Sequence, residues 1–154
     1  MATRPDTYIT YTEAYDYLSL GLRMNYDPWF EAEEETRYQA LEEATRILLR
    51  LPWSGLPATA TQRLWHPVAG DSAIPVQIKE ACALIAVELL RGRDPEKEYL
   101  SVTLSSERFT RVGATRDTNL IPPHFAAAIP SLEAWRLIRP FLAELREVNM
   151  VRVD

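Results

Sequence analysis

A helix that ends in a tryptophan–glycine turn, followed by a second tryptophan in a proline-bounded loop, constrains this chain more than any other feature. The segment runs Ala40-Leu41-Glu42-Glu43-Ala44-Thr45-Arg46-Ile47-Leu48-Leu49-Arg50-Leu51-Pro52-Trp53-Ser54-Gly55, then Gln62-Arg63-Leu64-Trp65-His66-Pro67. Leu41, Ala44, Leu48 and Leu51 recur at three- and four-residue steps, so they share one helix face. Pro52 cannot continue that helix, and Gly55 permits a sharp turn after it. Trp53 and Trp65, together with Leu48 and Ile78, are therefore expected to plug a small core, since large aromatics supply much of a core's buried area.

The remaining helices are read from the same periodicity. Thr10-x-x-Glu13 forms a capping box, with Thr12 as an alternative start. It opens a helix reaching Leu20 or Leu22, with Ala14, Leu18 and Leu22 on its apolar side. Asn25 to Pro28 reads as a turn, and Glu33 to about Leu51 as the second helix. Residues 52–73 form a long loop. Pro75 opens a third helix with Ile78, Ala81, Cys82, Ile85 and Leu89 facing the core, and Gly92 stops it. Leu100, Val102 and Leu104 alternate with Ser101, Thr103 and Ser105, a strand signal. Pro122-Pro123 breaks the chain, and Ser131 caps a last helical segment reaching Arg139, kinked by Pro140 before Phe141.

The expected fold is mainly α: a small bundle of three to four helices with a long aromatic loop, a short β or extended arm and a C-terminal helical segment. The expected organisation is a helical core over residues 1–92, an arm over 93–130, and a C-terminal helix and docking tail over 131–154 that can be removed without unfolding the core. At 154 residues, one domain with an appendage is the default.

Charge narrows the range of functions. Residues 1–52 carry five Arg and ten Asp or Glu, so the net charge of −5 resides in the first third of the chain. Such a surface repels nucleic acid. A basic groove is missing except around Arg108, Arg111 and Arg116. No run of about 18 apolar residues is present, which argues against a membrane span, and Met1 to Asp6 has no apolar h-region of a signal peptide. The single cysteine, Cys82, excludes an internal disulfide or a Cys-rich zinc site and reads as a small core residue. Cytoplasmic synthesis is the expectation.

A search for enzymatic chemistry returns little. There is no phosphate-binding glycine loop and no zinc-ligand spacing. His66 and His124, the only histidines, each lie beside proline without a Cys or Glu at ligand spacing. Glu31, Glu33, Glu34 and Glu35 read as a solvated helix start. No catalytic residue, metal or cofactor is expected.

Taken in order, the landmarks resemble the head–tail adaptor (connector) proteins of tailed bacteriophages, a group that includes members described as DnaT-like single-stranded-DNA-binding. These landmarks are Tyr8-x-Thr10-x-Thr12-Glu13-Ala14-x-x-Tyr17-Leu18, then Trp29, then Ala40-Leu41-x-x-Ala44-Thr45-x-x-Leu48 with Leu51-x-Trp53-x-Gly55. Gln62-x-Leu64-Trp65-x-Pro67 and Ile74-Pro75-x-x-Ile78-x-x-Ala81 follow. They cover about residues 8–92, and the C-terminal part matches only loosely. The family loop commonly reads Trp-Pro-Arg, whereas this chain has Trp65-His66-Pro67, so a contact from that arginine is not carried over.

The resemblance implies a mostly helical virion subunit at the head–tail interface, forming a homo-oligomeric ring, typically twelvefold, beneath the portal protein. The ring would extend the channel for genomic double-stranded DNA and receive the next tail component. Glu31, Glu33, Glu34 and Glu35 are candidates for an acidic lumen or surface. Arg108, Arg111 and Arg116 are candidate arm contacts to a neighbour or to DNA. Trp135 and Phe141 are candidates for docking on the portal or a neighbour. The alternative reading is a single-stranded-DNA-binding accessory protein of phage replication.

Overall fold

In a computed structural model of the protein, which describes residues 6–21, 26–54, 73–101 and 122–143, the first helix starts where its cap chemistry requires. The Thr10 hydroxyl accepts from the Glu13 backbone N–H, and the Thr10 N–H donates to Glu13 Oε2 at 3.0 Å. This reciprocal box satisfies two donors that a helix start leaves orphaned. It opens α1, Tyr11–Ser19. A Cβ on Gly21, just after α1, would fall 2.1 Å from Tyr26 Cε2, so a larger residue there would have to displace the Tyr26 ring. The stretch read as a turn before Trp29 begins a short helix, α2, Asp27–Glu31, because Pro28 lies in its first turn with φ already set.

The next two helices follow the periodicity closely. Helix α3, Glu34–Leu49, buries Leu41, Ala44 and Leu48, while Leu51 packs on the core just beyond its end. Helix α4, Val76–Leu90, starts after Pro75 as its N-cap. It is buried continuously from Ala81 to Glu88, so it is the central helix rather than an amphipathic surface one. At its end Gly92 adopts φ +85°, the Arg93 N–H bonds the Glu88 carbonyl at 3.1 Å, and the Gly92 N–H bonds that of Leu89 at 3.0 Å. This is the left-handed stop expected of a glycine in that place.

Beyond Gly92 the structure departs from the sequence reading. Residues 95–101 form a helix, α5, so Leu100 and Ser101 are helical rather than the start of a strand. The cause is local. Asp94 Oδ1 accepts from the Glu96 N–H at 3.0 Å and the Lys97 N–H at 3.4 Å, and Pro95 follows it. An Asp cap with proline next to it is a stronger signal than a few alternating residues. The rest of the expected strand, and the part of the arm over 102–121, lie outside the described residues. Among those described there is no strand, only an isolated antiparallel bridge between Trp53 and Leu142. Pro122-Pro123 opens a further short helix, α6, Pro123–Ala126, instead of only breaking the chain.

Ser131 caps α7, Leu132–Ile138, its hydroxyl accepting from the Ala134 N–H at 3.2 Å, and a 3-10 turn, Arg139–Phe141, carries Pro140. Helices α3 and α7 both lie against α4, with α1 and α2 also touching it. Ala134 and Ile138 are fully buried in the same core as Leu18, Trp29, Leu48 and Ile78. Among the described residues, Ile129, Ala134 and Ile138 thus pack into the core expected over residues 1–92. Removing them would expose α4 to water.

One surface ion pair ties the first cap to the central helix. Lys79 Nζ lies 2.6 Å from Glu13 Oε1. The Lys79 hydrogen bond, followed by that from the Thr10 backbone, lowers the Glu13 carboxyl from 4.5 to about 2. A carboxylate whose folded pKa is lowered stabilises the fold above its unfolded value and loses that contribution as pH falls toward the folded one. With the Glu13 side chain 44% exposed, screening reduces the expected cost of Glu13→Gln to about 1 kcal/mol at pH 7. The difference between variant and parent should shrink steadily from pH 4.5 to 2, as read by urea unfolding across that range. A difference that does not change with pH would contradict this account.

Among the described residues, no helix is long and apolar enough to cross a membrane.

Candidate functional site

The residues singled out as a plug are brought together where the structure describes them. Leu48 and Ile78 are fully buried and Trp53 is nearly so. The Trp53 indole Nε1 donates to the Leu48 carbonyl at 3.0 Å, a carbonyl near the end of α3 that also accepts from the Leu51 N–H at 3.2 Å. Its ring meets Tyr8 at 6.4 Å between centroids. Trp65 lies outside the described residues.

Three polar groups link the same region. The Thr45 hydroxyl accepts from the Tyr8 N–H at 3.3 Å and lies 3.5 Å from Cys82 Sγ. Burial pushes the Cys82 thiol up to about 12, so it is an inert core group rather than a nucleophile.

The C-terminal candidates have an intramolecular role. Trp135 and Phe141 are half-buried and packed against the core. The Ser54 N–H and hydroxyl both donate to the Phe141 carbonyl, at 3.0 and 2.9 Å, and the Ala143 N–H donates to Pro52 at 2.8 Å. The Trp53 turn and the end of the described chain are thus stitched edge to edge, a contact the sequence pattern did not signal. Beside them Trp135, Pro52, Leu142 and Ala126 to Ala128 line an open groove of about 1110 Å³. Ala128 there holds φ +56°, a conformation that usually favours glycine.

Arg108, Arg111 and Arg116 lie outside the described residues. Glu31, Glu33, Glu34 and Glu35 are all exposed, at the end of α2 and the start of α3. They border an aromatic cluster that periodicity did not reveal. Tyr11 stacks on Tyr38 at 4.7 Å and meets Trp29 at 5.9 Å, while Tyr15 and Phe30 pack edge to face at 5.6 Å and 85°. Arg37 is held inside it. Its guanidinium lies 5.8 Å over the Trp29 ring and donates to the Tyr11 hydroxyl at 2.7 Å and to the Phe30 carbonyl at 2.9 Å. The available signals were the i, i+4 spacing of Tyr11 and Tyr15 and the adjacency of Trp29 and Phe30.

A second charged cluster closes the C-terminal end of α4. Buried Glu88 is paired with Arg91 at 2.6 Å and Arg93 at 3.1 Å, and Arg93 also approaches Glu98 at 4.0 Å. Burial pulls buried His124 below its usual value, opposed by Glu98. The His124 ring also meets Phe125 at 4.2 Å between centroids, tilted by 33°. These groups fit an ion-pair lock at a helix end. Among the described residues, no group of three or more His, Cys, Asp or Glu is placed to hold a metal ion. Burial raises Tyr17 to about 12 and also raises Tyr26. Comparison of the chain with protein-family models, with curated proteins and with solved structures found no match.

Proposed function

We propose that the chain is a structural virion protein, a head–tail adaptor whose copies form a ring under the portal, extend the DNA channel and receive the next tail component. The observation that carries this reading is the way its ordered landmarks combine. Tyr8, the Thr10–Glu13 cap, Trp29, Leu48, Trp53 and Ile78 come from separate stretches, yet they serve one core built around α4. Landmarks from separate stretches that share one packing task fit an assembly subunit.

Two further features support the reading. Net charge −5 on each copy makes a ring strongly acidic, so passing double-stranded DNA is repelled rather than held. The groove beside Trp135 presents proline, alanine and tryptophan surface of the kind that anchors protein contacts.

The test is sedimentation of the purified full chain with the portal encoded beside it, and separately with labelled single-stranded DNA across a salt series. A complex of several copies per portal and no saturable DNA binding is expected. Saturable DNA binding that weakens steeply with salt, without a portal complex, would overturn the proposal in favour of a replication accessory protein.

A further inference from the structure

We infer that the Tyr15–Phe30 face, with its acidic edge of Glu31, Glu33 and Glu34, is a docking surface for an arginine-bearing segment of a partner protein. The inference does not depend on the ring reading, because it follows from the side chains of α1, α2 and α3 alone.

Exposure is the first argument. Tyr15 and Phe30 are 42% and 39% exposed, yet each fixes the other edge to face. Beneath them the Tyr11–Tyr38 stack and fully buried Trp29 form a rigid floor. A pre-set aromatic surface binds without paying to order itself.

Glu34 lies in the first turn of α3, where the helix dipole favours a negative charge, but the acidic edge lacks a cationic side chain paired with it among the described residues. Glu31 sits at the C-terminal end of α2, the wrong end of a helix for a negative charge. Glu33 is the N-cap of α3, but its side chain makes no cap hydrogen bond. Among the described residues no ion pair reaches Glu31, Glu33 or Glu34. A cation from outside would supply their counter-charge.

The occupant is identified by complementarity. A purely apolar partner would desolvate these carboxylates without compensation. Nucleic acid has the wrong sign. A guanidinium satisfies both halves of the surface, stacking flat on an aromatic ring while its fork of N–H groups bonds carboxylate oxygens. The protein already uses this chemistry on the inner side of the same cluster, where Arg37 lies over Trp29 and bonds two oxygens. The acidic edge is thereby assigned to a protein contact, and repulsion of DNA rests on net charge alone.

The test is titration of the full chain into labelled deca-arginine and, in parallel, deca-lysine, followed by fluorescence anisotropy. Saturable deca-arginine binding is expected, tighter than that of deca-lysine. It should weaken about tenfold in Tyr15→Ser with Phe30→Ser, and about tenfold in Glu31→Gln with Glu33→Gln and Glu34→Gln. Should the serine pair lose helical circular dichroism, Tyr15→Leu with Phe30→Leu retains apolar area and removes only the ring faces. The same loss is expected there. Equal affinity for the two peptides, a loss confined to the glutamine variant, or no saturable binding would overturn the inference. So would self-association of the full chain that the aromatic variant abolishes and deca-arginine does not compete, which would give the face to a second copy.

Discussion

Replacing Trp53 with alanine is expected to destabilise the protein by about 3–5 kcal/mol in urea unfolding. The side chain is 6% exposed, so its removal leaves a cavity between Tyr8, the end of α3 and the C-terminal segment. The Leu48 carbonyl also loses the indole donor and keeps the Leu51 N–H. Trp53→Phe separates these contributions. It keeps most of the apolar area and should cost about 1–2 kcal/mol, chiefly for the lost hydrogen bond and a smaller cavity. A loss below about 1 kcal/mol for Trp53→Ala, the ordinary range for surface sites, would show that the ring does not hold the α3 end in place.

Deleting residues 131–154 has a larger expected effect: loss of the cooperative fold. The deletion removes Ala134 and Ile138, both fully buried, and half-buried Trp135, Phe141 and Leu142. It uncovers the face of α4 that α7 packs on, in a helix buried from Ala81 to Glu88. It also removes the backbone partners of Pro52 and Ser54. Each buried aliphatic lost costs about 2–5 kcal/mol, and a domain of this size has only about 5–15 kcal/mol in total. The truncated chain should therefore lack a sharp thermal transition. A cooperative transition in it would support the division at residue 92.

The contrast between these segments explains what was legible in the sequence. Helices α1, α3 and α4 carry strong local signals that agree with one another: the Thr10–Glu13 box, the Leu41–Ala44–Leu48 stripe and the Gly92 stop. A helix face states that it is buried but not against what. The placement of α7 on α4, and the bridge between Trp53 and Leu142, depend on contacts about 50 and 90 residues apart, beyond any local pattern. Helix α5 is hard to read from the sequence for a different reason. The alternation at Leu100 to Ser105 resembles a strand, while the deciding Asp94-Pro95 cap lies just upstream.

The site was less legible than the fold. Glu31 to Glu35 were visible as a charge run, but their meaning changes once Tyr15 and Phe30 are seen beside them. Tyr11, Tyr15, Trp29, Phe30 and Tyr38 come from three helices, and only the packing of α1 and α3 brings them together. Trp135 and Phe141 were legible as aromatic anchors, yet much of their surface is spent inside the molecule.

The adaptor reading is tested most directly by electron microscopy of the full chain mixed with the portal encoded beside it. An added ring of density at the portal's narrow end, with several copies of a helical subunit around the channel, is the result the reading predicts. Bare portals in the presence of excess folded protein would contradict it.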